Sequence, residues 1–598
     1  MDKDGNIICP LDETVVREQL ITLKKQGITS LAVCFLHSYR NGTHELTVKK
    51  VAEELDFDHV SCQVNQLQRM VSRGDTTVVD AYLTPIIRAY IAGIRTKIPQ
   101  ASIKLMTSAG GLVDAELFVG KDSILSGPAG GVVGQAYVAQ AACFKKSIGF
   151  DMGGTSTDVS RFDGRYERRY EMEVNDPESD TGVRVVAPML AIETVAAGGG
   201  SICWFDGQKP VVGPRSAGAS PGPACYGRGG PLTVTDINLY LGKIIPDHFA
   251  FPLDREVVEQ RLQDLLESIH EATGQRYSPD ELASGFTAIA NANMAAPIKK
   301  ISIARGYDVR DYVLVSFGGA GAQHACAIAR ELGIKKVLQH PYAGILSAFG
   351  IGMSDVKKFA ARDVSKAYNT SHLNDLESLF QEIESDLREQ VRKERIPEHR
   401  IQKPERILEM RYRGQEARIP VPCPDDGNYL REFEILHRQL YGFIHQRPVE
   451  IYALRVELTG ETEKTPWPTT PASQQGVPEP STITQAYFDK IWHDTAVFFR
   501  NNLKPGHHIT GPAIIVEDIS TVVIEPGWDC EVTERDDLLL TDLVGAPNKI
   551  DIGTEVDAIT LELFNNRFAT MAEQMAVSYT HLRAHETDSY LVCRLLLE

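Results

Sequence analysis

A chain of 598 residues that is 43% apolar and 24% charged has the composition of a soluble globular protein, with length for roughly three to six domains. Its 62 Lys and Arg against 80 Asp and Glu leave a net charge of −18, which repels polyphosphate backbones and, with no long basic run, argues against nucleic acid as a partner. The ten cysteines stand singly with no CxxC pair, which excludes a disulfide framework or zinc ribbon and points to the reducing cytoplasm.

No apolar run approaches the roughly eighteen residues of a membrane span, and MDKDGNIICPLDE lacks the segments of a signal peptide. The first stretch alternates a helical pattern at Glu13 to Gln26, a buried strand at Thr29 to Phe35 and a second helix at His44 to Leu55, the rhythm of an α/β layer with a parallel sheet. It starts in mid-rhythm, without an opening strand, so an upstream segment is expected. A second α/β block begins near Ser147, where SIGFD reads as a strand ending in a carboxylate, followed by a hairpin turn at Asp163-Gly164. Residues 196–230 are rich in Gly, Pro, Ser and Ala, too long for a simple connection and so expected to be functional. A capping Ser278 with Pro279 opens a helix to about Pro297, Tyr312 to Phe317 reads as a strand, and Asp375 to Arg395 as a charged amphipathic helix. Pro466 to Pro480 reads as a linker, followed by short strands of a small all-β module to about Leu543.

The segment GFDMGGTSTD carries the most chemistry. A strand places Asp151 at its carboxyl end, Gly153 and Gly154 allow a turn tight enough for amides to face a phosphate, Thr155, Ser156 and Thr157 offer hydroxyls, and Asp158 can hold a metal through water. FGGAGAQH repeats the order strand, glycine turn, helix: Gly318, Gly319, Ala320 and Gly321 can lie against an anion or a ring, and His324 is either a satisfied histidine near a helix start or a ligand contact. Ser126 to Gly131 presents amides to an anion or caps a helix. Gly198, Gly199 and Gly200 sit between apolar residues, where close backbone approach to a ligand is the favoured reading. Asp236 is a helix cap, or else an active-site carboxylate. GxxxxGK[ST], HExxH and GxSxG are absent, so a P-loop enzyme, a zincin and an α/β-hydrolase lack support.

From about Leu31 to Ala576, through SGPAGGVVG, IGFDMGGTSTDVSR, TVAAGGGS, VGPRSAGASPGPACYGRGGP, FGGAGAQHACAIAR and GPAIIVEDISTVVIEPG, the chain resembles the hydantoinase A and 5-oxoprolinase family of ATP-dependent cyclic-amide hydrolases. The resemblance implies an α/β fold of the actin, sugar-kinase and heat-shock ATPase type, with Asp151 to Asp158 as the second phosphate loop and Gly318 to Gly321 as the adenosine loop. It further implies ATP and Mg²⁺, with Asp151 and Asp158 as metal-holding and catalytic carboxylates and Asp236 as a third candidate. The implied reaction is ring opening of 5-oxo-L-proline to L-glutamate through a phosphorylated lactam. N-methylhydantoin hydrolysis, a ketone carboxylase subunit and a non-catalytic actin-like ATP-binding module stay open as alternatives. The implied partners are a small cyclic amide, a B-type half or subunit, and further copies of the chain.

Three departures accompany the resemblance. No first Asp-Gly-Gly-Thr loop is found, the B-type half opens at 546–576 without continuing, and 577–598 match nothing in the family and read as an artefact. The expected divisions are 1–145 (remainder of a first lobe), 146–360 (nucleotide core), 361–465 (α+β region), 466–480 (linker) and 481–545 (β module). A chain of this extent is expected to be inactive alone.

Overall fold

The computed structural model describes residues 1–176, 181–415, 417–465, 467–472, 476–545 and 558–583. The amino-terminal succession of helix, strand and helix folds as read, but the strand expected over Thr29 to Phe35 is confined to Ser30–Ala32, with Phe35 exposed. Asp12 caps the helix Glu13–Lys25 by accepting from the Thr14 and Val15 amides, and the helix Thr43–Glu54 follows. Between them runs the strand Ser30–Ala32, parallel to His59–Ser61, over a small core that includes Leu20, Val51 and Phe57. The next helix, Met70–Lys97, is long and apolar enough to cross a membrane by length and composition. Its inward face is nevertheless polar: Arg73, Thr76, Thr77, Asp80 and Thr84 are buried. Asp80 accepts from the Ser61 hydroxyl at 2.6 Å and the Lys121 amide at 3.0 Å, bonds that hold this helix in the fold.

The centre of the molecule is an eight-stranded sheet in the order Ile192–Val195, Thr157–Asp163, Lys146–Met152, Val313–Phe317, Lys336–Gln339, Leu538–Asp542, Trp528–Val532, His508–Thr510. Lys146–Met152 and Val313–Phe317 are parallel and covered on both faces, which is why they read as unbroken apolar runs. Ile148, Phe150 and Met152 pack with Phe286, Ile289 and Met294 of the helix Pro279–Ile301. The helix Ser126–Ala141 lies against the other face, its Gln135 amide donating to the Ser147 hydroxyl at 2.9 Å. The helix expected to stop near Pro297 continues to Ile301, because Pro297, Ile298 and Ile301 are all buried and their burial outweighs the lost amide bond.

Two boundaries differ from the expected ones. The strands expected to form a separate module at 481–545 are divided: Leu538–Asp542 pairs antiparallel with Lys336–Gln339 and extends the central sheet, while Thr482–Phe488, Ile491–Phe499, Ala513–Val516 and Thr521–Ile524 form a sheet of their own. The open edge of Lys336–Gln339 makes this joining favourable, since an unpaired buried edge leaves amides and carbonyls unsatisfied. Likewise the α+β region expected at 361–465 shares its six-stranded sheet with Lys104–Met106 and Leu112–Asp114 from the first segment. Within the expected linker, Trp467 is fastened to the core, its ring against His340 and Tyr342 and its indole N–H donating to Arg535 O at 2.9 Å. Residues 546–557 and 584–598 lie outside the described residues. The boundary expected at 576 falls inside one helix, Ala558–Arg583, whose Ile559 packs on the central core.

Candidate functional site

The strand Lys146–Met152 turns at residues 153–156 and returns as Thr157–Asp163, in a register that sets Asp151 directly opposite Asp158. Side chains paired across two strands point to the same face, so the two carboxylates share one small volume. Burial pushes the Asp151 carboxyl up to about 6, the Asp158 charge adds to the rise, and the Ser347 hydroxyl offsets part of it. Burial likewise raises Asp158, against a hydrogen bond that it accepts from Thr194 Oγ1 at 2.5 Å. No cationic side chain contributes at either group, and among the described residues no cluster of three or more His, Cys, Asp and Glu could hold a metal. Two acceptor groups without a counter-cation suit Mg²⁺, which takes one or two carboxylates and completes its octahedron with waters and phosphate oxygens.

The turn divides its amides between structure and surface. Gly153 N–H donates to Ser156 O at 3.1 Å inside the turn, so the expectation that it faces a phosphate is corrected. Gly154 and Thr155 are exposed, their amides donate to no acceptor among the described residues, and a β-carbon on Gly154 would meet nothing within 4 Å. The Thr155 hydroxyl is at the surface and Ser156 is half-buried, whereas Thr157 is buried with its hydroxyl donating to Ala197 O at 2.6 Å. Two neighbouring free amides on a tight turn can donate together to an anion.

Gly198, Gly199 and Gly200 have another role than the one expected. Gly199 N donates to Gly153 O at 3.0 Å and Gly200 N to Gly154 O at 2.6 Å, while Gly198 N is taken by Ser201 Oγ at 2.9 Å. The amides of Gly199 and Gly200 hold the turn from behind. A β-carbon at Gly198 would lie 2.8 Å from Gly153 O, which is why glycine is needed there.

The second glycine segment lies beside the first rather than across a cleft, because Val313–Phe317 pairs with Lys146–Met152 and sets Phe317 opposite Asp151. Gly318, at φ +80, has no room for a side chain: its β-carbon position is 2.4 Å from Met152 O and 2.5 Å from Asp151 Oδ1. Ala320 N donates to Met152 O at 3.1 Å, and Gly321 is buried at the start of a short helical turn. Gly319 lies beside Ile519, whose carbonyl is 3.7 Å from the glycine's β-carbon position. A turn between two carboxyl-terminal strands thus reaches the loop.

Two candidates are corrected outright. Asp236 is fully buried and accepts from the amides of Thr233, Ala224 and Cys225 and from the Thr233 hydroxyl at 2.7–3.0 Å. It is a helix cap that fastens the 224–225 loop, with no face left for a substrate. His324 is buried, with Nδ1 against Asn291 Oδ1 at 2.7 Å and Nε2 against Asn238 Nδ2 at 3.0 Å, and burial pushes it down to about 3. It is a neutral bridge between helices. The Ser126 to Gly131 segment also packs rather than presents: a β-carbon on Gly130 would lie 2.5 Å from Ser347 O. Sequence reasoning missed Thr194, Ser347 and Ile519. Thr194 alone had a signal, as the first hydroxyl of TVAAGGGS.

Models of the Hydantoinase/oxoprolinase family match residues 73–359, those of its N-terminal region 1–56 and those of its C-terminal domain 363–540. The chain is 38% identical to 5-oxoprolinase 1 of Arabidopsis thaliana over 95% of its own length and 46% of that protein's, so it spans about half of that relative. It is 31% identical to caprolactamase subunit alpha of Pseudomonas jessenii, covering 88% of this chain and 78% of the subunit. The crystal structure of the ATP-dependent caprolactamase from the same organism superposes with a TM-score of 0.79 at 29% identity, over 91% of this chain and 81% of that one. With three successive domain models and a relative matched over most of its length, the chain belongs to the hydantoinase/oxoprolinase family.

Proposed function

We propose that this chain binds ATP with Mg²⁺ at the Asp151–Asp158 hairpin and uses it to activate a cyclic amide, 5-oxo-L-proline, for hydrolysis to L-glutamate. The observation that carries the reading is the pair of opposed, half-buried carboxylates, without a cation among the described residues, on the two strands that flank the turn bearing the free amides of Gly154 and Thr155. The printed names of relatives, 5-oxoprolinase among them, support the choice of substrate. The central sheet with its two glycine loops supports an actin-like ATPase arrangement.

A lactam resists water because nitrogen donation weakens the carbonyl as an electrophile and leaves a poor leaving group. Transfer of the γ-phosphoryl group to the carbonyl oxygen, with ADP leaving, removes that donation. Water then adds to the ring carbon, the nitrogen takes a proton and leaves, and a second water hydrolyses the resulting acyl phosphate. Bound at Asp151 and Asp158, Mg²⁺ would neutralise charge on the phosphate oxygens, as in phosphoryl transfer generally. The amides of Gly154 and Thr155 would donate to those oxygens, and Thr194 would orient Asp158. A second half or subunit completes hydrolysis, in keeping with the greater length of the 5-oxoprolinases and the subunit naming of caprolactamase.

The test combines this chain with that second half and follows ADP, phosphate and glutamate together. The expected result is 5-oxoproline-dependent release of the three in equal amounts. ATP turnover indifferent to any cyclic amide would leave a nucleotide-binding module, and turnover with caprolactam but not 5-oxoproline would move the substrate.

A further inference from the structure

Away from the nucleotide loops, a cavity of about 350 Å³ lies between the start of the helix Met70–Lys97, the segment 168–171 and the six-stranded sheet. Its wall carries Arg69, Arg73, Arg168, Arg169, Arg418 and Arg455 against two carboxylates, Glu171 and Glu409. In a chain with a net charge of −18 this local excess of positive charge runs against the average.

The arginines are under-neutralised. Arg69 and Arg418 share Glu171, at 3.4 and 3.1 Å, and Arg455 meets Glu409 at 3.1 Å. Arg168 reaches Glu457 at 2.7 Å, a carboxylate also taken by Lys357, and Arg169 reaches Glu193, also taken by Lys300. Arg73 is buried, its guanidinium turned to the carbonyls of Phe35 and Leu67, with no ion pair among the described residues. Two further donors, Arg168 Nε and Arg455 Nε, have no acceptor among the described residues, on side chains only 8% and 9% exposed, and one oxygen each of their partners Glu457 and Glu409 is likewise without a donor there. Tyr170 and Tyr452 stack on Arg455 and Arg418 at 3.8 and 4.2 Å and hold two of the forks in place. Rigid guanidinium forks with spare donors are the geometry that recognises a carboxylate or phosphate bidentately.

The cavity is separate from the nucleotide turn. None of residues 151–158, Thr194 or 318–321 lines it. The neighbouring cavity of about 750 Å³ shares Arg168, Arg169, Tyr170 and Arg418, so the arginine wall opens onto a larger cleft.

We infer that this arginine cavity binds a small dianion, a phosphate or a dicarboxylate, at a site distinct from the nucleotide turn. The inference stands whether or not the cyclic-amide reading does. The test is calorimetric titration of the whole chain with inorganic phosphate in one arm and glutarate in the other. Saturable binding of at least one probe is expected, weakened about tenfold or more by Arg418→Gln and by Arg69→Gln. The tighter probe identifies the source. Arg69 is 35% exposed at its side chain, so its variant carries the test if Arg418→Gln lowers the melting temperature. Absence of binding by both probes, or affinity indifferent to the arginine substitutions, would each overturn the assignment.

Discussion

Asp151→Asn is expected to stabilise the ligand-free chain near neutral pH while removing its response to Mg²⁺ and ATP. The folded protein raises the Asp151 carboxyl from 3.8 to about 6, mainly through burial. Below pH 3.8 the group is protonated in both states and costs nothing. As pH rises, the unfolded chain ionises first and folding stability falls, until the loss levels off above pH 6. At about 1.4 kcal/mol per pH unit the full loss is about 3 kcal/mol, of which about 1 kcal/mol is already present at pH 4.5. Asparagine is nearly isosteric and cannot ionise, so its advantage should grow from about 1 kcal/mol at pH 4.5 to about 3 kcal/mol at pH 7.5. For a cooperative unit of 150–250 residues each kcal/mol is worth about 2–4 °C, so the difference in melting temperature should widen by several degrees. Thermal melts of wild type and variant at the two pH values measure this directly. Adding Mg²⁺ and ATP at pH 7.5 should then raise the wild-type midpoint and leave the variant's in place. A difference that stays constant or narrows as pH rises would refute the claim that burial of this carboxylate is only partly compensated.

Gly318→Ala should lower the melting temperature and abolish ATP binding, since φ +80 costs an L-residue about 1–2 kcal/mol and the new methyl would stand 2.4 Å from Met152 O; retained ATP affinity by calorimetry would count against the loop assignment. Asp236→Ala should destabilise the fold by about 3 kcal/mol or more, because it strips four buried donors of their acceptor, so a fully folded but inactive variant by circular dichroism would restore Asp236 to the catalytic set. Asp158→Ala, in the combined enzyme, should cut 5-oxoproline-dependent phosphate release about a hundredfold or more without loss of fold, as expected for a carboxylate that positions the metal; unchanged turnover would remove it from the site. Thr194→Val deletes the hydroxyl that Asp158 accepts from, and should raise the Mg²⁺ concentration needed for half-maximal rate while sparing the limiting rate by more than Asp158→Ala does.

What the amino-acid order determined by itself was local. The run SIGFD had to be a buried strand, GGTST a tight turn and Ser278-Pro279 a helix start, because apolar continuity, glycine and capping side chains act within a few residues. The opposition of Asp151 and Asp158 came with the pairing of the strands on either side of that turn, which the turn residues alone did not specify. Tertiary structure decided the roles of the other candidates. Asp236 and His324 carry side chains suited to catalysis, and only the partners supplied by residues 224–225, Asn238 and Asn291 turn them into a cap and a bridge. Gly198 to Gly200 read as a surface for ligand, and became the backing of the turn once Gly153 and Gly154 carbonyls were brought to the amides of Gly199 and Gly200. The joining of Leu538–Asp542 to a strand some 200 residues earlier, and the gathering of arginines at 69, 168, 418 and 455 around one cavity, depend on pairings that leave no periodic trace in the chain. Periodicity and turn chemistry report on neighbours in sequence, whereas sheet edges and charge clusters are set by which distant segments can satisfy each other's backbone and burial at once.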